Sequence, residues 1–440
     1  MRLKRCRFPV VLTLCCLCGV AGAWAQEPAE TRQQKVGPSF LQAAGGVALT
    51  NWVTWAYNWY VQRWPWANVG VQSWEQNLRD GFVWDNDCLL DNQLAHPYHG
   101  AYYHSSARAS GYGFWGSVPF VAAGSASWEL FGENLNASLN DLINTTLGGM
   151  ALGEVTYRLS TLVGSSRGVG RSSLGRELGA FVLSPIARTQ GLINGRVEPA
   201  AAAEFQPDVR AQIAVGRRSG QAFLELAVRY GSPFDAAAAR PYDAFEFRMQ
   251  VSPEGTGIHH LGISGLLARR TLSRSAHNQL AFGVFQHFDY DDLSSMKSSG
   301  QSVSAALLYQ RRLGGRNQVN LSAHAEGLLL GGISSDQGHE WRRDYDLGPG
   351  AGARLGASFV RDGREWFRAD GRIRWLHSIH GSEGDHLATF VRLGASVPLR
   401  GSLGVGGDVS VTGRHSSYNG FPSVTQRVPH VRAYITWSPS

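Results

Sequence analysis

Cysteine is scarce and badly placed for a stapled fold. Of the five cysteines, Cys6, Cys15, Cys16 and Cys18 fall within the first twenty residues, and only Cys88 lies beyond them. That excludes a disulfide framework and a zinc site built on cysteine pairs. Long apolar runs are equally rare. The stretch Phe8 to Val20 is too short for the ~18 apolar residues of a spanning helix, and Val47 to Val61 is broken by Asn51 and Asn58. A strong basic excess is also missing. The formal net charge of +7 includes Arg2, Lys4, Arg5 and Arg7, so the chain beyond them carries +3, which is no footprint of nucleic-acid binding. No G-x-S-x-G elbow and no phosphate-binding Gly-rich loop occurs.

What is present begins with an export signal. The four basic residues precede an apolar stretch, and Ala23-Trp24-Ala25 offers an A-x-A cleavage site ahead of Gln26. A secreted product starting at Gln26 is expected. The rest divides into two grammars, giving the organisation 1–25 signal peptide, 38–163 aromatic-rich helical domain, 164–200 linker with a short helix, and 201–440 barrel.

From about residue 200 apolar and polar residues alternate with period two between Gly-, Asp-, Asn- and Ser-rich breaks. In Ala244 to Val251, Phe245, Phe247, Met249 and Val251 face one way while Glu246, Arg248 and Gln250 face the other. Eleven further segments read alike: 209–215, 222–230, 261–267, 280–285, 303–309, 319–325, 355–359, 366–375, 387–397, 403–411 and 431–437. About twelve strands are therefore expected, an even number as single-chain bacterial barrels have. Charges at alternating positions, among them Glu225, Arg229, Arg368, Asp370 and Arg372, suit a wet lumen inside an oily exterior. A soluble sandwich or propeller would show the same alternation. Export, and aromatics near strand ends such as Tyr230, Phe288, Tyr309, Trp366 and Trp437, favour the membrane. The expected class is α+β: an N-terminal helical region followed by an antiparallel transmembrane β-barrel.

The helical part is expected over Phe40–Val61, Trp74–Gly81, 96–113, 118–133, and from Ser138, whose hydroxyl is placed to cap with Asp141 three residues on. Trp52, Trp55, Trp59 and Tyr60 share one broad face of the first helix, suited to an interface, a core or a partner. Gly148, Gly149 and Gly153 favour close helix contact. Pro97 sits in a first turn, where its missing N–H costs little.

Chemistry-bearing residues concentrate here. His96, His99 and His104 on one helix, Glu129 and Glu133 on the next, and Asp141 on a third are candidates for acid/base work on an ester or phosphate. Arg108, Gly100, Tyr103, Trp128 and Glu154 read as structural or binding residues, Arg108 as an ion-pair partner for Glu129 or Glu133. His96-x-x-His99 lacks the Glu of the metalloprotease motif, so neither metal nor cofactor is expected.

The stretch Trp84 to Ser160 resembles the family catalogued as domain of unknown function 3943, envelope proteins of Gram-negative bacteria. The resemblance rests on Asn92, His96-Pro97, Gly100, Tyr103, Ala107-Arg108, Gly124-Ser125, Trp128-Glu129, Ser138, Asp141, Thr145, Gly149, Gly153-Glu154 and Tyr157-Arg158-Leu159-Ser160. It implies an envelope location and carries no mechanism. The expectation is an outer-membrane protein, exported by a cleavable signal, with outer-membrane lipid and the barrel-assembly machinery as partners and no nucleic acid. Its helices are expected to brace or plug the periplasmic mouth for passage, binding or envelope maintenance. The alternative is a membrane-embedded hydrolase or lipid-modifying enzyme using the His/carboxylate cluster.

Overall fold

A computed structural model describes residues 37–165, 174–193, 207–253, 257–293, 296–335, 337 and 344–438. The signal read over 1–25, and residues 166–173 and 194–200 of the 164–200 linker, lie outside the described residues. The chain forms two compact units, one holding the helices and the other the strands.

In the helical unit, α1 (Phe40–Ala56) starts at Ser39, whose hydroxyl accepts from the Gln42 N–H, and passes into a π-helical turn, Tyr57–Gln62. The expected single helix to Val61 therefore loosens in its last turn. It is followed by α2 (Val71–Asp80), α3 (His96–Ala109), α4 (Phe114–Phe131), α5 (Leu139–Ser165), α6 (Leu174–Leu183) and α7 (Pro185–Ile193). A π-helical turn, Asp91–Ala95, leads into α3. Among the described residues no helix is long and apolar enough to cross a membrane.

Helices α3 and α5 run side by side in the same direction. His96 lies by Thr145 and Asp141, Gly100 by Thr145 and Gly149, and His104 by Gly153 and Glu154. Glycine makes this possible: a Cβ at Gly149 would stand 2.6 Å from the Gly100 carbonyl carbon, and one at Gly153 2.7 Å from the His104 Cβ. Helix α4 packs against both, its Gly124 leaving room for the Tyr103 ring, 2.8 Å from where a Cβ would sit. Buried Val47, Tyr103 and Val121 tie α1, α3 and α4 into one core.

The second unit is a closed antiparallel barrel of twelve strands, each paired with its sequence neighbours, with β1 also paired to β12. The strands are β1 (Val209–Arg218), β2 (Gln221–Tyr230), β3 (Phe245–Val251), β4 (Ile258–Arg274), β5 (Asn278–Leu293), β6 (Met296–Gly314), β7 (Asn317–Ser334), β8 (Tyr345–Arg361), β9 (Arg364–His377), β10 (Gly384–Arg400), β11 (Leu403–Tyr418) and β12 (Val424–Trp437). The seam runs from Ile213 opposite Trp437 to Arg218 opposite Arg432. Closure leaves no edge to template pairing with another chain. All twelve expected segments fall on these strands.

The two ends differ. At the end where β1 begins and β12 finishes, four of the five connections are two or three residues long, 275–277, 315–316, 362–363 and 401–402, while the fifth, 231–244, has fourteen residues. The opposite end mixes the two-residue 219–220 with longer connections such as 378–383 and 419–423. Short turns on the periplasmic side and longer loops outside are the habit of outer-membrane barrels.

The barrel wall is inverted relative to a soluble protein. On β10 and β11, Leu387, Val391, Leu393, Val397, Leu403, Val405, Val409 and Val411 are exposed on the outer surface. Alternating with them, Asp408, Ser410, Thr412 and Arg414 are buried inside, and on β12 Val431 and Ile435 alternate likewise with Arg432 and Thr436. Such a wall is stable only where hydrocarbon replaces water outside.

Candidate functional site

Two polar clusters are buried in the helical unit. They occupy opposite ends of the α3–α5 contact.

The first is centred on Glu154, which is fully buried. Its Oε2 lies 2.9 Å from His104 Nε2 and 2.8 Å from Arg108 Nε, and its Oε1 accepts from Arg158 Nε at 2.7 Å and Arg108 Nη2 at 3.2 Å. Burial alone would raise the Glu154 pKa, but the guanidinium groups of Arg108 and Arg158 outweigh it and hold the carboxyl below the usual carboxylate range. Burial lowers the His104 pKa, so the ring is neutral and donates from Nε2. The Arg108 guanidinium also stacks 5.0 Å from the Tyr157 ring centroid. Both oxygens of the carboxylate are met by guanidinium or imidazole groups, as in a structural network.

Arg108 therefore pairs with Glu154 and not with Glu129 or Glu133. The reason is geometric. Twelve residues of helix separate Arg108 from His96, about 18 Å of rise, and Glu129 lies at the His96 end.

The second cluster gathers where α3 and α5 begin and α4 ends. His96 Nε2 stands 3.5 Å from Asp141 Oδ2, and its Nδ1 is 4.0 Å from Glu129 Oε1 and 3.3 Å from the Thr145 hydroxyl. Ser138 joins the helices: its N–H donates to Glu129 Oε2 at 2.9 Å, and its hydroxyl accepts the Asp141 N–H at 3.1 Å, the expected cap. Asp85 docks alongside, taking amide donors from Asn140 at 2.8 Å and Asn92 at 3.0 Å, while its own N–H donates to Asn140 Oδ1.

Charge is unevenly handled in this cluster. Burial opposes ionisation of Asp85, yet hydrogen bonds from Asp141, Asn140 and Asn92 hold its carboxyl below its ordinary value. Burial, followed by repulsion from Asp85 and Glu129, raises Asp141. Burial and Glu133 raise Glu129, and burial with Asp87 and Asp85 pushes Glu133 up to about 8. Burial also lowers His96 despite Asp85 and Asp87.

Of the six candidates only His96, Glu129 and Asp141 converge, their donor atoms all within 4.8 Å of one another. His99 turns away. It meets the Tyr103 hydroxyl at 3.1 Å and the Thr54 hydroxyl at 3.4 Å, packs edge-on against Trp128, and burial pushes its pKa down to about 3. Tyr103 donates to the Asn51 side chain. His104 belongs to the Glu154 network, and Glu133 is not among the groups that converge on His96. Sequence reasoning passed over Asn140. It lies next to Asp141 on the first turn of α5, and no spacing rule marks an Asn that holds a loop aspartate.

The barrel lumen is the third concentration of polar groups. Charged side chains meet across it between strands that are not neighbours. Arg229 of β2 reaches Glu365 of β9 at 2.6 Å, and Glu246 of β3 meets Arg368 of β9 at 2.9 Å. Asp289 of β5 takes Arg372 and Arg374 of β9, both at 2.9 Å, together with Arg354 of β8. Arg354 and Arg374 share Glu326 of β7 at 2.8 and 2.5 Å. Opposite walls are thus tied together by ion pairs.

These features define a closed, membrane-type β-barrel with a separate helical unit. Residues 81–186, which span both helical clusters, match the family described as "Domain of unknown function (DUF3943)". No curated protein matches the chain. Among solved structures, it is similar to the KdgM porin at 8% identity, covering 52% of this chain and 98% of that one with a TM-score of 0.24. The NanC porin gives 10%, 52%, 98% and 0.26. An anion-selective porin from Comamonas acidovorans gives 7%, 53%, 99% and 0.20. At such scores the barrel assignment rests on the strand order and the wall described above.

Proposed function

We propose that this chain is an outer-membrane β-barrel protein, exported with a cleavable leader, inserted by the barrel-assembly machinery, and surrounded by outer-membrane lipid. The observation that carries the reading is the inverted wall: an exposed apolar exterior on a closed sheet whose interior is lined by arginine and carboxylate. Four turns of two or three residues at the end where β1 begins and β12 finishes agree with a periplasmic side. The lumen supports restricted passage, of water and small ions, because ion pairs join β2, β3 and β5 to β9. An open pore for large solutes is not what such bridges favour.

The test is fractionation of cells expressing the full chain. The protein is expected in the outer-membrane fraction, with Gln26 as its first residue and an electrophoretic mobility that changes on boiling. Recovery as a soluble periplasmic protein, or in the inner membrane, would overturn the reading.

A second reading, hydrolysis or lipid modification, draws on one observation: His96 lies between the Thr145 hydroxyl and the Asp141 carboxylate. Thr145 is buried, however, so a substrate would need the α3–α5 contact to open. Ester or phospholipid hydrolysis that disappears in a folded His96→Ala variant would support it. An absence of turnover in the wild type would end it.

A further inference from the structure

Glu129 is buried to 1% exposure, and its two carboxylate oxygens are treated differently. Oε2 accepts the Ser138 N–H, whereas Oε1, just as deeply sunk, has no hydrogen-bond partner. A bare buried carboxylate oxygen is costly unless something positive meets it. In the Glu154 network guanidinium groups fill that role. Among the described residues no arginine or lysine pairs with Glu129 or Asp141; His96 is the only basic group on either.

The His96 ring lies beside Glu129, and which of its nitrogens is free depends on the partner of the other. When Nδ1 donates to the Thr145 hydroxyl, the Nε2 lone pair points toward Asp141 Oδ2 at 3.5 Å, acceptor against acceptor. In that tautomer a cation between the two atoms would be held by both. The separation is also right: ligands about 2.0–2.1 Å from a tetrahedral zinc stand about 3.4 Å apart. Glu129 completes the group: one ligand atom from each of the three residues lies within 4.8 Å of the others, and its Oε1 stands 4.0 Å from His96 Nδ1. The partly exposed edge of His96 leaves a way in from solvent.

We propose that His96, Glu129 and Asp141 bind one divalent transition cation of the zinc or manganese type, with His96 ligating through Nε2. One imidazole and two carboxylates suit such ions, and the absence of thiolate disfavours the soft ones. Thr145 acts as the positioning residue, fixing the ring through Nδ1 as outer partners of ligating histidines do. The three ligands leave a coordination position for water.

The experiment uses the full chain in detergent micelles, stripped with a chelator and titrated with Co2+ as a visible probe. One equivalent is expected to produce d–d absorption bands that Zn2+ then displaces. His96→Ala and Glu129→Gln should lose the bands while keeping the helical circular dichroism and the heat-modifiable barrel. Thr145→Val should weaken binding by about 10- to 100-fold. His377→Ala, an exposed barrel histidine, should bind as the wild type does. If Glu129→Gln unfolds the helices, the wild type decides: Zn2+ should raise the melting temperature of the helical signal, and chelator should reverse the rise. A wild type that takes up no stoichiometric cation, or ligand variants that bind as tightly as it does, would overturn the proposal.

Discussion

Gly100 and Gly149 meet backbone to backbone, with no side chain between them. Their contact sets the spacing of α3 and α5, and so it places His96 against Asp141 and His104 against Glu154.

Gly149→Ala should therefore destabilise the helical unit by about 1–3 kcal/mol, the usual cost of over-packing a filled core. Gly45→Ala is the counterpart, since a Cβ there meets nothing within 4 Å. It should stabilise α1 by about 0.5–1 kcal/mol, as replacing a mid-helix glycine does. Urea midpoints of the helical circular dichroism check both; a G149A midpoint equal to wild type would show that the helices can part freely.

Glu154→Gln removes the carboxylate that Arg108 and Arg158 share. Breaking a buried pair in this way costs about 3–5 kcal/mol, and the helical signal should melt at markedly lower urea while the barrel keeps its heat resistance. An unchanged midpoint would mean that the network contributes no stability.

The same residue sets a pH dependence. In the unfolded chain the Glu154 carboxyl titrates near ~4.3, and in the fold it is held lower by Arg108 and Arg158. The unfolded state therefore takes up the proton first, so the stabilisation is complete above about pH 4.3 and drains away as pH falls toward the folded value. Urea midpoints measured from pH 7 down to pH 3 should fall over the acid part of the range. In E154Q this component of the fall should be missing.

On the barrel, Leu393 lies near the middle of β10 and faces outward. Leu393→Arg should cost about 2–4 kcal/mol if that face meets the bilayer midplane, reducing the fraction that resists boiling-free denaturant on gels. A normal yield of folded L393R would place this row in water.

Arg354 and Arg374 converge on Asp289 and Glu326 in the lumen. Replacing both arginines with alanine should raise the conductance of the reconstituted barrel above wild type and make it cation-selective, since the two carboxylates lose their partners. Unaltered conductance in planar bilayers would show that these bridges do not limit passage.

The barrel could be read from the sequence because its rule is local. A strand such as β9 alternates Phe367, Ile373 and Trp375 outward with Arg368, Asp370, Arg372 and Arg374 inward, and that alternation needs no knowledge of the partner strand. The pairing of Arg229 with Glu365 was not legible, because it depends on which walls face each other after closure. The same limit applied to the helices. Ser138 capping Asp141 is a three-residue relation and was expected. Arg108 finding Glu154 follows from α3 and α5 running in parallel, which no spacing within either helix encodes. Asp85 read as part of a polar turn with Asn92 seven residues on, and the second half of its clamp, Asn140, appears only when the chain returns 55 residues later.

The unequal connections at the two barrel ends carry a consequence for how neighbouring cells, antibodies and phage encounter this protein. Peptide tags inserted at 378–383 or 419–423 should be labelled on intact cells, whereas a tag at Asp362-Gly363 should stay hidden until the envelope is broken. Natural variation under attack from outside has room to accumulate at the first two positions and little at the third, where a two-residue hairpin with Asp362 and Gly363 both at positive φ tolerates few alternatives.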